Sequence, residues 1–176
     1  MVGQAVSPAR PTYNILQMTE LEKISDQLKR SHEGVAWHGP SLRELLQGVS
    51  AEKAARKTSG LHSIWELVLH IAAWERAGAR MLRGEAVEDL TSEQDWPSLG
   101  EPSERSWRET IDKLDAAHAE LAEAIRLCPP ERLSETVTGK RYSVYFLLHG
   151  IVQHNLYHAG QIAILRKLVE QPTRLP

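Results

Sequence analysis

Cysteine occurs once in the 176 residues, at Cys128. A lone thiol excludes an internal disulfide and fits a reducing compartment, the cytoplasm. Excess charge of either sign is also missing: 21 Lys and Arg against 23 Asp and Glu leave a net −2. That balance gives no electrostatic footprint for DNA or RNA. No apolar run approaches the roughly 18–20 residues that cross a bilayer. The opening MVGQAVSPARPTYN has no charged start followed by an apolar stretch, so no signal peptide is expected. Neither a G-x-S-x-G elbow nor a phosphate-binding G-x-x-x-x-G-K-[ST] loop is present. Cys128 sits directly before Pro129-Pro130 with no base nearby in sequence, which reads as inert packing. What remains is 41% apolar and 25% charged, the make-up of a soluble globular chain long enough for a real core.

The periodicity is helical throughout. Residues 1–14 read as a flexible lead-in and 171–176 as a short tail, with one domain over 15–170. A first helix is expected from about Leu16 to Ala36, with Leu21, Ile24, Leu28 and Val35 on one side. Gly39-Pro40 breaks it. Ser41 then caps a short piece through Leu42, Leu45 and Leu46, and Ser50 opens another. Ser63 with Glu66 forms a capping box for a second long helix, carried by Ile64, Leu67, Val68 and Ile71 and ended by Gly84. Residues 84–102 are acidic, contain two prolines, and are too long for an ordinary connection, which suggests a lid or a crossover. A third helix starts at Ser103 and runs through Trp107, Ile111, Leu114, His118, Leu121 and Ile125 to the proline pair. Residues 131–141 read as loop. A fourth helix begins near Ser143 and reaches about Val169, with Leu147, Ile151, His154, His158, Ile162 and Leu165 along one stripe. Four long amphipathic segments make an all-α four-helix bundle.

Eight histidines are present, and their placement is the informative part. His154 and His158 lie four apart on the apolar stripe, so both rings can meet one point inside the bundle. An H-x3-H pair is also common by chance, and two buried imidazoles need partners for four ring nitrogens. His70, beside the Leu67–Ile71 face, is a third inward candidate. Three such rings would hold a divalent ion and leave positions open for water. His118 is a rival, as fourth ligand or as a hydrogen-bonded core residue. His149 is rotated away, and His32, His38 and His62 read as solvated or capping. Glu66, Glu75 and Tyr157 are the available guesses for a general base, although Glu66 belongs to the box and Glu75 reads as a surface partner of Arg76 or Arg80. Gln153, Asn155 and Gln161 are candidates to orient the ligands from adjacent turns. Trp65, Trp74, Trp96, Trp107 and Tyr157 read mostly as packing residues, with the wall of a pocket as the alternative for some of them.

The segment HSIWELVLHIAAWE at 62–75 resembles the second-helix motif of DinB/YfiT-like proteins. HGIVQHNLYHAGQIAILRK at 149–167 resembles their last-helix motif, and AWHGPSLRELLQGVSAEKA at 36–54 their first connection. The resemblance implies an up-down-down-up bundle whose long crossover is the 84–102 connection. It also implies a divalent metal on His70, His154 and His158, and a homodimer; imidazole donors suit zinc, nickel, copper and iron, of which zinc or nickel is favoured here. Family members are described as metal-dependent hydrolases, and wider relatives include thiol-dependent S-transferases. No thiol-cofactor signature is recognisable in this chain.

Two readings follow. One is a metal-dependent enzyme on the three-histidine site, a hydrolase or a low-molecular-weight-thiol S-transferase with a small-molecule substrate. The other is a non-catalytic metal-binding or structural dimeric bundle. An open coordination position favours the first, and a fourth protein ligand such as His118 favours the second.

Overall fold

A computed structural model describes residues 18–58 and 60–170. The expected lead-in, the tail and Leu16 lie outside them. The described chain runs α1 Glu20–His32, α2 Leu42–Leu46, α3 Ala51–Ala55, α4 Ile64–Leu82, α5 Ser92–Asp95, α6 Glu104–Arg126 and α7 Val144–Glu170. It is all helical, with one isolated bridge between Thr136 and Ser143. No described helix is long and apolar enough to cross a membrane.

Local chemistry sets the starts. Thr19 with Glu22, Ser63 with Glu66 and Thr91 with Gln94 form reciprocal boxes before α1, α4 and α5. Each box satisfies free amides at a helix start that have no intrahelical acceptor. The first helix stops earlier than expected. Glu33 is extended, Gly34 follows at φ +87°, and Val35 is 81% exposed rather than on the core side. The segment after the proline pair is a 3₁₀ turn over Pro130–Ser134 rather than plain loop.

α1 packs on α6 and α7, and α4 packs on the same two, so the four long helices form a square with α1 and α4 on one diagonal. Trp65 meets Thr110, Glu75 meets His118 and Arg83 meets Glu120, so α4 and α6 run parallel. His70 meets His154 and Met81 meets Tyr142, so α4 and α7 run antiparallel. That is the up-down-down-up order, with residues 83–103 as the crossover. At one α4–α7 crossing Gly78 lets the helices close: a Cβ there would overlap Cδ1 of Ile151.

The apolar core is divided in two. One cluster holds Ile64 to Ala72 with Leu114 and Ile162, and the other holds Ala77 to Leu82 with Leu121 and Ile151. Between them, α4 carries Glu75, α6 carries His118, and α7 carries His154, Asn155 and His158. A polar layer thus crosses the bundle where all four long helices meet.

Candidate metal centre

α4 supplies His70, and successive turns of α7 supply His154 and His158. One ligand-capable atom from each lies within 4.8 Å of the other two. Nε2 of His70 and Nε2 of His154 are 2.9 Å apart. His70 and His158 are buried and His154 is half-buried.

The partners of the outer nitrogens fix the tautomers of His70 and His158. Nδ1 of His70 faces the backbone carbonyl of Asp95 at 2.7 Å and the Asp95 carboxylate at 3.1 Å. Both are acceptors, so Nδ1 carries the proton and Nε2 a lone pair. Nδ1 of His158 donates to Oε1 of Gln161 at 2.7 Å, which again leaves Nε2 bare. Nδ1 of His154 is buried without a partner. Burial first, and then the neighbouring His158 and His70, push His154 down to about 4. Burial likewise lowers His158. Both rings are therefore neutral at pH 7, as metal ligation requires.

Three rings whose ligand-capable nitrogens converge within 4.8 Å fit a divalent ion. Nitrogens on a tetrahedral zinc would stand about 3.3 Å apart, so the His70–His154 pair needs only a small opening. The chemistry of the donor set suits zinc, nickel, copper or iron equally.

The crossover covers this centre, the lid role that its length suggested. Asp95 ends α5 and takes both Nδ1 of His70 and Nε1 of Trp74, the latter at 2.7 Å. Trp96 follows and stacks on His70 at 4.0 Å and 6°. Its other side stacks on His62 at 3.6 Å. Trp96 is therefore a wall of the site rather than simple packing, and His62 is not merely solvated. The signal for this element was the Thr91-x-x-Gln94 box.

His118 is the hydrogen-bonded core residue that was the alternative to a fourth ligand, its Nδ1 meeting Glu75 at 3.2 Å. Other expectations change. Glu75 has no exposed surface, so it is not a surface partner of Arg76 or Arg80. His32 is 4% exposed and neither solvated nor a cap. Asn155 donates to Glu75 at 2.8 Å instead of orienting a ligand ring. Gln153 is exposed, and only Gln161 orients as expected. Glu66 is bound to Ser63 and Lys57. Tyr157 is 66% exposed, with its ring 5.1 Å from that of His158. His149 lies apart, near Glu20.

No curated protein and no solved structure matches the chain. The model of the DinB superfamily does match, over residues 35–162. That span runs from before α2 into α7 and takes in His70, His154 and His158. With most of its length and all three converging histidines inside the match, the chain belongs to the DinB superfamily.

Proposed function

We propose that this chain is a metal-dependent enzyme that transfers a low-molecular-weight thiol to a small electrophilic substrate, using an ion held by His70, His154 and His158. The observation that carries the reading is the convergence of three histidine rings, with Nε2 of His70 and of His158 bare, and no fourth protein ligand among the described residues. When bound, a divalent ion supplies a Lewis acid that strengthens a thiol or a water as nucleophile at neutral pH.

Transfer is favoured over hydrolysis by what surrounds the rings. Among the described residues, Asp95 is the only carboxylate that pairs with any of the three, and it sits behind His70 on the outer nitrogen. Glu66 and Glu75 are committed elsewhere. A water nucleophile needs a positioned base, whereas a thiol already ionised by the centre does not. Trp96 and Asp95 shield His70 from water and hold its ring in place.

The test compares wild type with His70→Ala/His154→Ala after reloading with zinc or nickel. Elemental analysis should show one ion fewer per chain in the variant. Thiol consumption with an electrophile panel should be lost with it. Equal metal content in both proteins would sink the reading. Ester or amide hydrolysis without thiol consumption would replace transfer by hydrolysis.

A further inference from the structure

Glu75 is a carboxylate without exposed surface, halfway along α4. Its Oε1 accepts from Nδ1 of His118 at 3.2 Å and from Nδ2 of Asn155 at 2.8 Å. Its Oε2 has no partner. His32 approaches from α1. Its Nε2–H donates to Asp115 at 3.0 Å, and Arg43 holds the other oxygen of Asp115 at 2.6 Å. Burial, and then the neighbouring His118, push His32 down to about 4, so the ring is neutral. Its Nδ1 therefore keeps a lone pair, and it too is buried without a partner. Asn155 uses its amide N–H on Glu75, and its Oδ1 is the third unpartnered buried acceptor.

Three lone-pair atoms with no donor are an unusual group to bury, because each lost its water on folding. A cation between His32 and Glu75 answers the two of them together. Ligand-capable atoms of His32, Glu75 and His118 lie within 4.8 Å of one another. Each comes from a different long helix, and Asn155 comes from the fourth, which is where bundles build metal sites.

We propose that His32, Glu75 and His118, with the Asn155 carbonyl beside them, form a second divalent-metal site in the bundle core, distinct from the three-histidine centre. Glu75 follows His70 by five residues, about 7.5 Å along the helix axis. Two imidazoles and a carboxylate select a first-row transition ion such as zinc, cobalt, manganese or iron over magnesium or calcium. The rings of His32 and His118 stack at 3.9 Å and 7°. Parallel rings cannot both aim in-plane lone pairs at one ion, so loading turns one ring out of the stack. His32 precedes the segment that matches the superfamily, so that match does not account for this site. The rival occupant is a buried water, which can donate to two of the acceptors.

The experiment uses the full chain, stripped with chelator and reloaded with cobalt(II), with metal per chain read by elemental analysis. Wild type should hold two ions. His70→Ala/His154→Ala should hold one, Glu75→Gln one, and the combined variant none. A folded His70→Ala/His154→Ala protein that retains no cobalt overturns the proposal, as does a Glu75→Gln protein with the wild-type content. If Glu75→Gln does not fold, cobalt anomalous scattering from His70→Ala/His154→Ala crystals decides. A peak between His32 and Glu75 supports the site, and its absence leaves water as the occupant. An ion that survives His70→Ala/His154→Ala but not Glu75→Gln would support this site even if wild type holds only that one ion, and would sink the three-histidine reading instead.

Discussion

A ring nitrogen that points away from the centre decides what the nitrogen pointing inward can do. Gln161 holds the His158 proton on Nδ1 from one turn further along α7. Asp95 does the same for His70, but through a backbone carbonyl that no side-chain substitution removes. The two supports therefore differ in how they can be tested. Gln161→Ala frees His158 to take the other tautomer and to rotate. Loss of such an orienting partner typically weakens metal affinity about 10–100-fold. Chelator competition on the purified variant should show a shift of that size with the helical circular-dichroism signal unchanged. An affinity equal to wild type would mean that packing alone orients the ring. The contrast between Gln161 and Glu75 also shows what a sequence reveals at this scale. Gln161 is three residues from its partner on one helix, so spacing suffices to nominate it. Glu75 meets its partners across 43 and 80 residues. Its burial depends on which helix faces it, and a charged residue read alone belongs on the surface.

The long helices announce themselves because their starts are local events. Ser63 and Glu66 exchange hydrogen bonds within one turn: the amide of Ser63 donates to Oε2 of Glu66 at 2.7 Å, and Glu66 N–H donates back to the serine at 3.2 Å. Ser63→Ala should cost about 0.5–2 kcal/mol by loss of this cap. The pH dependence of that cost has a definite sign. Burial by itself raises the Glu66 carboxyl, but hydrogen bonds from Lys57 and Ser63 outweigh it and hold the group below its usual 4.5. A depressed carboxyl contributes stability above its unfolded pKa and loses it as pH falls through the folded value. The difference in thermal unfolding between wild type and Ser63→Ala should therefore be largest at pH 7 and shrink as pH falls below 4.5 through the lowered carboxyl value, down to the share that Glu66 N–H on the serine oxygen supplies. A gap that stays constant over that range would assign the whole effect to the bond from Glu66 N–H to the serine oxygen. The element that escaped the reading is α5. Four residues carry too little periodicity to stand out, and its contact with His70 spans 25 residues. Only the path of the crossover brings Asp95 and Trp96 over the rings.

Taken as a whole, the molecule keeps a polar layer inside its apolar core and leaves a row of large apolar side chains exposed along one helix. The polar layer at Glu75, His118 and the α7 histidines separates two apolar clusters. The interior of α7 feeds that layer, while its outer face shows Phe146, Tyr157, Ile164 and Leu168, at 64, 66, 61 and 43% exposure. These lie at spacings of eleven, seven and four, one stripe on a helix of 3.6 residues per turn. Gly150 and Gln153 fall on the same stripe, and no charged residue does. Nothing stands within 4 Å above Gly150, so a neighbouring backbone can approach closely. From Phe146 to Leu168 the stripe is about 33 Å long. An uncharged face of that length on a bundle is what an isologous pair of copies uses, with each stripe meeting its own image across a two-fold axis. We propose a homodimer through α7. Its occupant is a second copy rather than a basic or acidic partner, because the stripe offers neither charge. Light scattering across a hundredfold dilution should give the dimer mass for wild type, and Tyr157→Glu/Ile164→Glu should give the monomer mass with its helix content retained. Because Tyr157 also neighbours His158, metal content measured on the same variant separates a lost interface from a damaged centre. Wild type that runs as a monomer at every concentration would remove the dimer and leave the stripe as plain surface.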